Sequence, residues 1–338
     1  HSSRGKNVRQ VGAQEFDITK TIEKITNYSV MVSEAELIRY HMEKGLYLAK
    51  NGRPGPVWID IPLDFQWADI DIEKCKSFNP DESSRAMETH SKPGASEIGK
   101  LKTLISQSER PLILAGYGIR LAKAENEFKN LIEKWNIPFI SSWAACDILP
   151  TSHPLYAGRC GMAGQRGGNL AVQNCDLLIA IGSHLSIPLT GTKPEYFSRA
   201  SKRVVINIDL HELQNETVKV HLPICVDAKC FLEKLLKEEF SFTENLGYWR
   251  ERCKQYKRYN SYPDSWKNES GLINQYVFFQ ALNDFIDQSD NIVVDGGGTV
   301  VYSSFQCLHI KENQRILYSG GIGAMGSGLA EAIGACLA

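Results

Sequence analysis

PLILAGYGIRLAKAENEFKNLIEKWNIPFI, residues 111–140, reads as a strand, a glycine turn, a helix and a second strand in direct succession. Residues 111–115 form a short apolar run, 116–118 carry the glycines of a turn, 122–135 read as a helix, and 137–140 are apolar again. Two further runs, LLIAI at 177–181 and VVINI at 204–208, are apolar at every or nearly every position. Strands of that composition belong in a parallel sheet covered on both faces, because alternation is lost when neither face meets water. With helices expected at 96–106 and 228–239, the segment predicts an α/β domain with a parallel, doubly wound sheet.

Outward from that core, residues 33–49 read as an amphipathic helix opened by a capping box, Ser33 with Glu36 three positions on. A turn at 51–54 then leads into PVWIDI, a strand at 56–61 closed by Pro62. Residues 69–93 turn polar and irregular. On the other side, a Tyr-, Trp-, Lys- and Arg-rich stretch runs from the helix at 228–239 to about residue 270. A third unit follows, with a helix at 274–286, a strand at 291–294 running into Asp295 and three glycines, and a helix at 300–308. A strand at 315–318 then enters the loop SGGIGAMGSG (319–328), and a small-residue helix closes the sequence. The unit has the right elements for a parallel sheet but few strands.

Composition narrows the partners. The 338 residues are 43% hydrophobic and carry 38 Lys and Arg against 39 Asp and Glu, a formal charge of −1. No field of that size concentrates nucleic acid or an anionic membrane. The nine cysteines include no CxxC pair and the eight histidines lie far from one another, so neither a disulfide framework nor zinc is suggested. A reducing cytoplasm fits this usage. No apolar run reaches the roughly 20 residues of a spanning helix. The first residues lack an initiator Met and the last lack a cap, which leads us to expect a fragment.

The two glycine loops carry the candidate chemistry. A strand, then Gly296 to Gly298, then a helix is the arrangement that presents backbone N–H groups to a phosphate. A tight turn that needed glycine would read the same way. The second loop, 320–328, surrounds Met325 with glycines that permit a flat ligand to approach the backbone. Helix packing is the alternative there, and an ordinary core methionine is the alternative for Met325. Both loops are expected at the C-terminal ends of their strands, the edge at which ligands of open α/β sheets bind.

GRPGPVWIDIPLD (52–64), DGGG with its helix (from Asp295), SGGIGAMGSGLAEAIGA (319–335) and the central GRCGMAGQRGGNLAVQNCDLLIAIGSHLSIPLTG (158–191) resemble, in their order along the chain, segments of acetolactate synthase-like thiamine diphosphate (ThDP) enzymes. The resemblance implies a three-domain architecture of parallel doubly wound sheets: the C-terminal part of a pyrimidine-binding domain (1–75), a linker (76–95), a complete Rossmann-like middle domain (96–240), a second linker (241–270) and the N-terminal part of a diphosphate-binding domain (271–338). It implies ThDP-dependent carboligation or decarboxylation of a small 2-keto acid, a transferase or lyase activity, by a cytoplasmic homodimer or homotetramer. The fragment alone is expected to be inactive. A ThDP lyase for another acyl or sugar-derived keto substrate, and a non-catalytic nucleotide-binding module, remain open.

By the same resemblance, Gly297, Gly298 and Thr299 match the diphosphate-contacting turn, although the synthases have Gln and His at the positions of Gly298 and Thr299. The Gly323 carbonyl would accept from the cofactor's 4'-amino group. Met325 would support the bend of the cofactor. Gln14, with Glu15 beside it, matches a glutamine near substrate and cofactor, with a solvated loop pair as the alternative. The glutamate that drives the cofactor's own proton transfer is expected upstream of His1, and the Mg2+ ligands beyond residue 338, so no metal ligand is assigned in this chain. The synthases also carry a structural FAD. Gly116, Gly118, Gly161, Met162, Asp209 and Asp227 fit positions near it, but the synthases have arginines where this chain has His184 and Pro188, and a histidine at Ala163. Loss of both guanidinium contacts to an anionic cofactor argues against retained FAD.

Overall fold

The computed structural model describes residues 16–83, 92–214, 216–260, 262–268, 271–321 and 323–338. The chain divides into two compact units, His1–Thr89 and His90–Ala338. In the first, strands β1 (Tyr28–Met31) and β2 (Val57–Asp60) pair in parallel, with Tyr28 opposite Val57, and helix α1 (Ile38–Lys50) connects them. The Asn27 amide closes this unit by donating to the carbonyls of Leu48 and Arg53 at 3.2 and 3.0 Å. His41 on α1 is buried and hydrogen-bonded to the Tyr28 hydroxyl at 2.6 Å. Burial, followed by the charge of Lys44, holds the His41 imidazole below its ordinary pKa.

The second unit contains the sheet expected around residues 111–140. Strands β3 (Pro111–Ala115), β4 (Phe139–Ser141), β5 (Tyr156–Arg159), β6 (Leu177–Ile181), β7 (Lys202–Asn207) and β8 (Leu222–Cys225) are all parallel, in the order β5-β4-β3-β6-β7-β8. Every residue of β3 and β6 is buried, which is why neither strand alternates. Helices α2 (Ala95–Gln107), α3 (Glu125–Trp135), α4 (Arg166–Asn174) and α5 (Ala228–Lys237) cover the sheet with Leu101, Phe128, Ile132, Val172, Phe231 and Leu232 in its core. Asp227 starts α5 by accepting from the N–H groups of Lys229 and Cys230. Asn136 ends α3 in the left-handed conformation.

Within the stretch expected as a second linker, one helix packs on the sheet. Helix α6 (Leu246–Lys257) buries Leu246, Trp249, Cys253 and Tyr256 in the same core, and the Trp249 indole N–H donates to the Pro111 carbonyl at 2.9 Å. The last elements are α7 (Gln275–Phe285), β9 (Ile292–Val294), α8 (Gly298–Cys307), β10 (Ile316–Tyr318) and α9 (Gly328–Leu337). Strands β9 and β10 pair in parallel with Ile316 opposite Ile292. Phe279, Val294, Val301, Phe305, Leu308 and Ile316 form a second core that also takes in Cys146. Burying Phe305 completely contributes on the order of 2–3 kcal/mol to this core. None of the nine cysteines is joined in a disulfide. Among the described residues no helix is long and apolar enough to cross a membrane.

Candidate functional site

Strands β9 and β10 run side by side in the same direction, so the loops that follow them emerge at one edge. Asp295 joins the two loops. Its Oδ1 accepts from the N–H of Gly296 at 2.8 Å and of Gly328 at 3.2 Å, and its Oδ2 from Gly326 at 3.4 Å. The backbones touch where they cross: a Cβ on Gly296 would stand 2.4 Å from the Ala324 carbonyl oxygen. Glycine is therefore required at that position by packing alone.

Beyond the crossing the loops part, and this is where the expected residues lie. Gly297 caps α8, and the nearest atom to a Cβ placed on it is Met325 Cγ at 4.0 Å. Gly298 has a φ of +42° and nothing within 4 Å of the point a Cβ would occupy, while Gly323 has a φ of +65°. Among the described residues, none accepts from the backbone N–H groups of Gly297, Gly298, Thr299 or Val300. Met325 is 82% exposed, an unusual setting for a large apolar side chain between glycines, and not that of a core methionine. The structure thus brings Gly297, Gly298, Thr299, Gly323 and Met325 to one edge. Free N–H groups at the start of a ten-residue helix suit phosphate oxygens, and the exposed thioether suits the face of an organic ring.

Behind this edge the strands are anchored by a buried carboxylate. Asp147 Oδ2 accepts from Arg315 Nε at 2.9 Å and from the Ile316 N–H at 3.2 Å. Its Oδ1 is ion-paired with Arg120 Nη2 at 3.0 Å, without hydrogen-bond alignment. Tyr318, at the end of β10, packs edge-on against Phe305, and burial raises its phenol pKa, with Tyr302 adding to the effect. Sequence reasoning assigns no role to Asp295 and misses Asp147. A carboxylate directly before three glycines is the one available signal for the first.

Gln14 and Glu15 lie outside the described residues. The six residues considered for a flavin lie at the C-terminal edge of the six-stranded sheet and in its surroundings. Gly116 and Gly118 follow β3 and press against Gly182 after β6; a Cβ on Gly116 would stand 2.3 Å from the Gly182 carbonyl oxygen. Gly161, at φ +109°, is packed against the Pro188 carbonyl, to which the Met162 N–H donates at 2.8 Å. Asp209 caps a helical turn through the His211 N–H and Asp227 caps α5. His184 is hydrogen-bonded to Glu212. Among the described residues no group of three or more His, Cys, Asp or Glu is arranged to hold a metal.

Residues 98–235 match the family described as thiamine pyrophosphate enzyme, central domain. The chain is 32% identical over 331 residues to a probable acetolactate synthase large subunit of Methanocaldococcus jannaschii, covering 96% of this chain and 55% of that protein. It is 30% identical over 328 residues to the acetolactate synthase large subunit of Lactococcus lactis, with 96% and 55% covered. The chain thus carries the central domain of thiamine pyrophosphate enzymes, and over 96% of its length it is similar to acetolactate synthase large subunits. A third relative, the acetolactate synthase isozyme 1 large subunit of Escherichia coli, is 30% identical over 325 residues, again 96% of this chain and 55% of the relative. The chain spans about half the length of the curated relatives it matches. The residues that match this central domain hold the six-stranded parallel sheet.

Proposed function

We propose that the protein takes part in ThDP-dependent carboligation or decarboxylation of a small 2-keto acid, and that the edge formed by β9 and β10 is its diphosphate-binding half-site. The observation that carries this reading is the convergence of two glycine loops, the first leading into the N–H groups of Gly297 to Val300, unpaired among the described residues, and the second carrying the exposed Met325. The N–H groups of Gly297 through Val300 would hold the diphosphate at the positive end of α8. Met325 would support the bend between the cofactor's rings, and the Gly323 carbonyl would accept from the 4'-amino group. When bound, ThDP supplies the electron sink that allows the carboxylate of a 2-keto acid to leave as CO2. Asp295 keeps the two loops at a fixed separation, so the diphosphate and pyrimidine contacts stay in register.

The proposal extends to magnesium bound with the diphosphate, to Gln14 near the substrate, to the domain boundaries given above and to a homodimer or homotetramer. It includes no flavin, because the glycines and aspartates at the middle domain's edge are accounted for by backbone crossing and helix capping. The test is a titration of the full-length protein with ThDP and Mg2+, followed by fluorescence or circular dichroism, then an assay of CO2 released from pyruvate. Saturable binding with CO2 release supports the reading. A full-length protein that binds no ThDP overturns it.

A further inference from the structure

Arg159, the last residue of β5, is fully buried. Its Nη1 donates to the Phe305 carbonyl at 2.9 Å and its Nη2 to the Leu308 carbonyl at 2.7 Å, both at the C-terminal end of α8. The carbonyls between them are also met by side chains, Gln306 by Gln165 Nε2 and Cys307 by Asn283 Nδ2, each at 3.0 Å. The end of α8 is thus closed by three side chains, and only one of them is charged. Among the described residues no carboxylate pairs with Arg159, and the nearby Cys146 thiol is pushed up by its own burial, so it remains protonated. An arginine in such a place stays charged. Among the described residues, the negative charge that faces it is the partial charge at the carbonyl end of the helix.

The opposite end of the same helix carries the unpaired N–H groups of the proposed diphosphate site. Neutralising the carbonyl end leaves the positive end of the helix unopposed, and it adds a full positive charge along the helix axis in a buried setting. Ten residues separate the two ends by roughly 15 Å. At the effective dielectric of a protein interior, a unit charge at that distance changes affinity on the order of fivefold for each charge on a ligand. Resting on the ThDP reading, we propose that Arg159 is a positioning residue of the middle domain that strengthens diphosphate binding electrostatically through α8.

The test measures inorganic pyrophosphate and ThDP binding, with Mg2+, by the full-length protein, beside its urea unfolding. Arg159→Gln should weaken pyrophosphate roughly tenfold, and Arg159→Lys should restore most of the loss. Gln165→Ala and Asn283→Ala remove contacts at the same end without removing charge, so they should lower stability and leave pyrophosphate affinity nearly unchanged. Asn283→Asp sets a negative charge beside that end and should bind pyrophosphate several-fold more weakly than Asn283→Ala; this pair keeps the test decisive if Arg159→Gln does not fold. Equal affinity in Asn283→Asp and Asn283→Ala, or losses that follow stability in every variant, would overturn the inference. Wild-type binding with Arg159→Gln unchanged removes the inference alone. A wild type that binds neither ligand removes the ThDP reading and the inference with it.

Discussion

Strands β3 and β9 both end in a glycine turn that leads into a helix, and the two turns are packed in opposite ways. After β3, Gly116 and Gly118 lie against Gly182, and the Gly118 N–H donates to the Gly182 carbonyl at 2.9 Å. After β9, only Gly296 is needed for such a crossing, while Gly297 and Gly298 look onto Met325 and open space. A glycine whose missing Cβ would strike backbone is explained by packing. One with space around it, next to unpaired N–H groups, is not. The contrast separates glycines held by packing from glycines that face open space within one chain, where the sequence pattern is the same.

The largest effect that bears on this contrast concerns the anchor rather than either turn. Asp147→Ala would leave Arg120 and Arg315 without their buried carboxylate and the Ile316 N–H without an acceptor. The expected loss is about 3–5 kcal/mol of unfolding free energy, read by urea denaturation, with the β9 and β10 edge loosened as well. A loss below about 1 kcal/mol would mean that the edge is held in place by its hydrophobic core alone.

Next in size is Gly116→Ala. With a Cβ forced to 2.3 Å from a carbonyl oxygen, the two turns must move apart, at a cost of about 3 kcal/mol. ThDP affinity of the protein that remains folded should be unchanged. If stability were unaffected and a nucleotide ligand lost instead, the closed turn would have been the binding turn.

Met325→Ala reverses that pattern. The side chain is 82% exposed, so unfolding should shift by less than about 0.5 kcal/mol. Removing its contact with the cofactor should raise the Kd for ThDP roughly tenfold, as measured by fluorescence titration. Unaltered ThDP binding would detach Met325 from the proposed site.

Much of this contrast is within reach of the sequence, and the exceptions have physical causes. The runs PLILA and LLIAI fall on β3 and β6 residue for residue, because strands buried on both faces must be apolar throughout. Strand β5, Tyr-Ala-Gly-Arg, shows no such pattern, since its glycine and its arginine are placed by contacts far away in sequence. Strand β8 escapes a reading by pattern because Pro223 and a neighbouring histidine interrupt an edge strand that is only partly covered. The capping box at Ser33 is not formed. Glu34 is extended, and a 3-10 turn at Ala35–Leu37 opens the helix without a side-chain cap. At the candidate site the glycines and Met325 are legible as a motif, but which glycines touch backbone and which face open space depends on how β9 and β10 pair.

The smallest effect gives the finest test of that distinction. Gly321 has nothing within 4 Å of the position a Cβ would take, and its φ lies outside the left-handed region. Alanine should therefore fit the unliganded protein, and the loss of backbone freedom in the unfolded chain offsets any small strain, for a net change within about 0.5 kcal/mol of either sign. If the loop closes on a flat ligand, the added methyl group meets that ligand and no part of the protein. Gly321→Ala would then show a few-fold rise in the Kd for ThDP with an unchanged urea midpoint. Equal affinities would place the ligand-facing surface of the loop at Gly323 to Met325 alone and narrow the site to the half nearest Gly297.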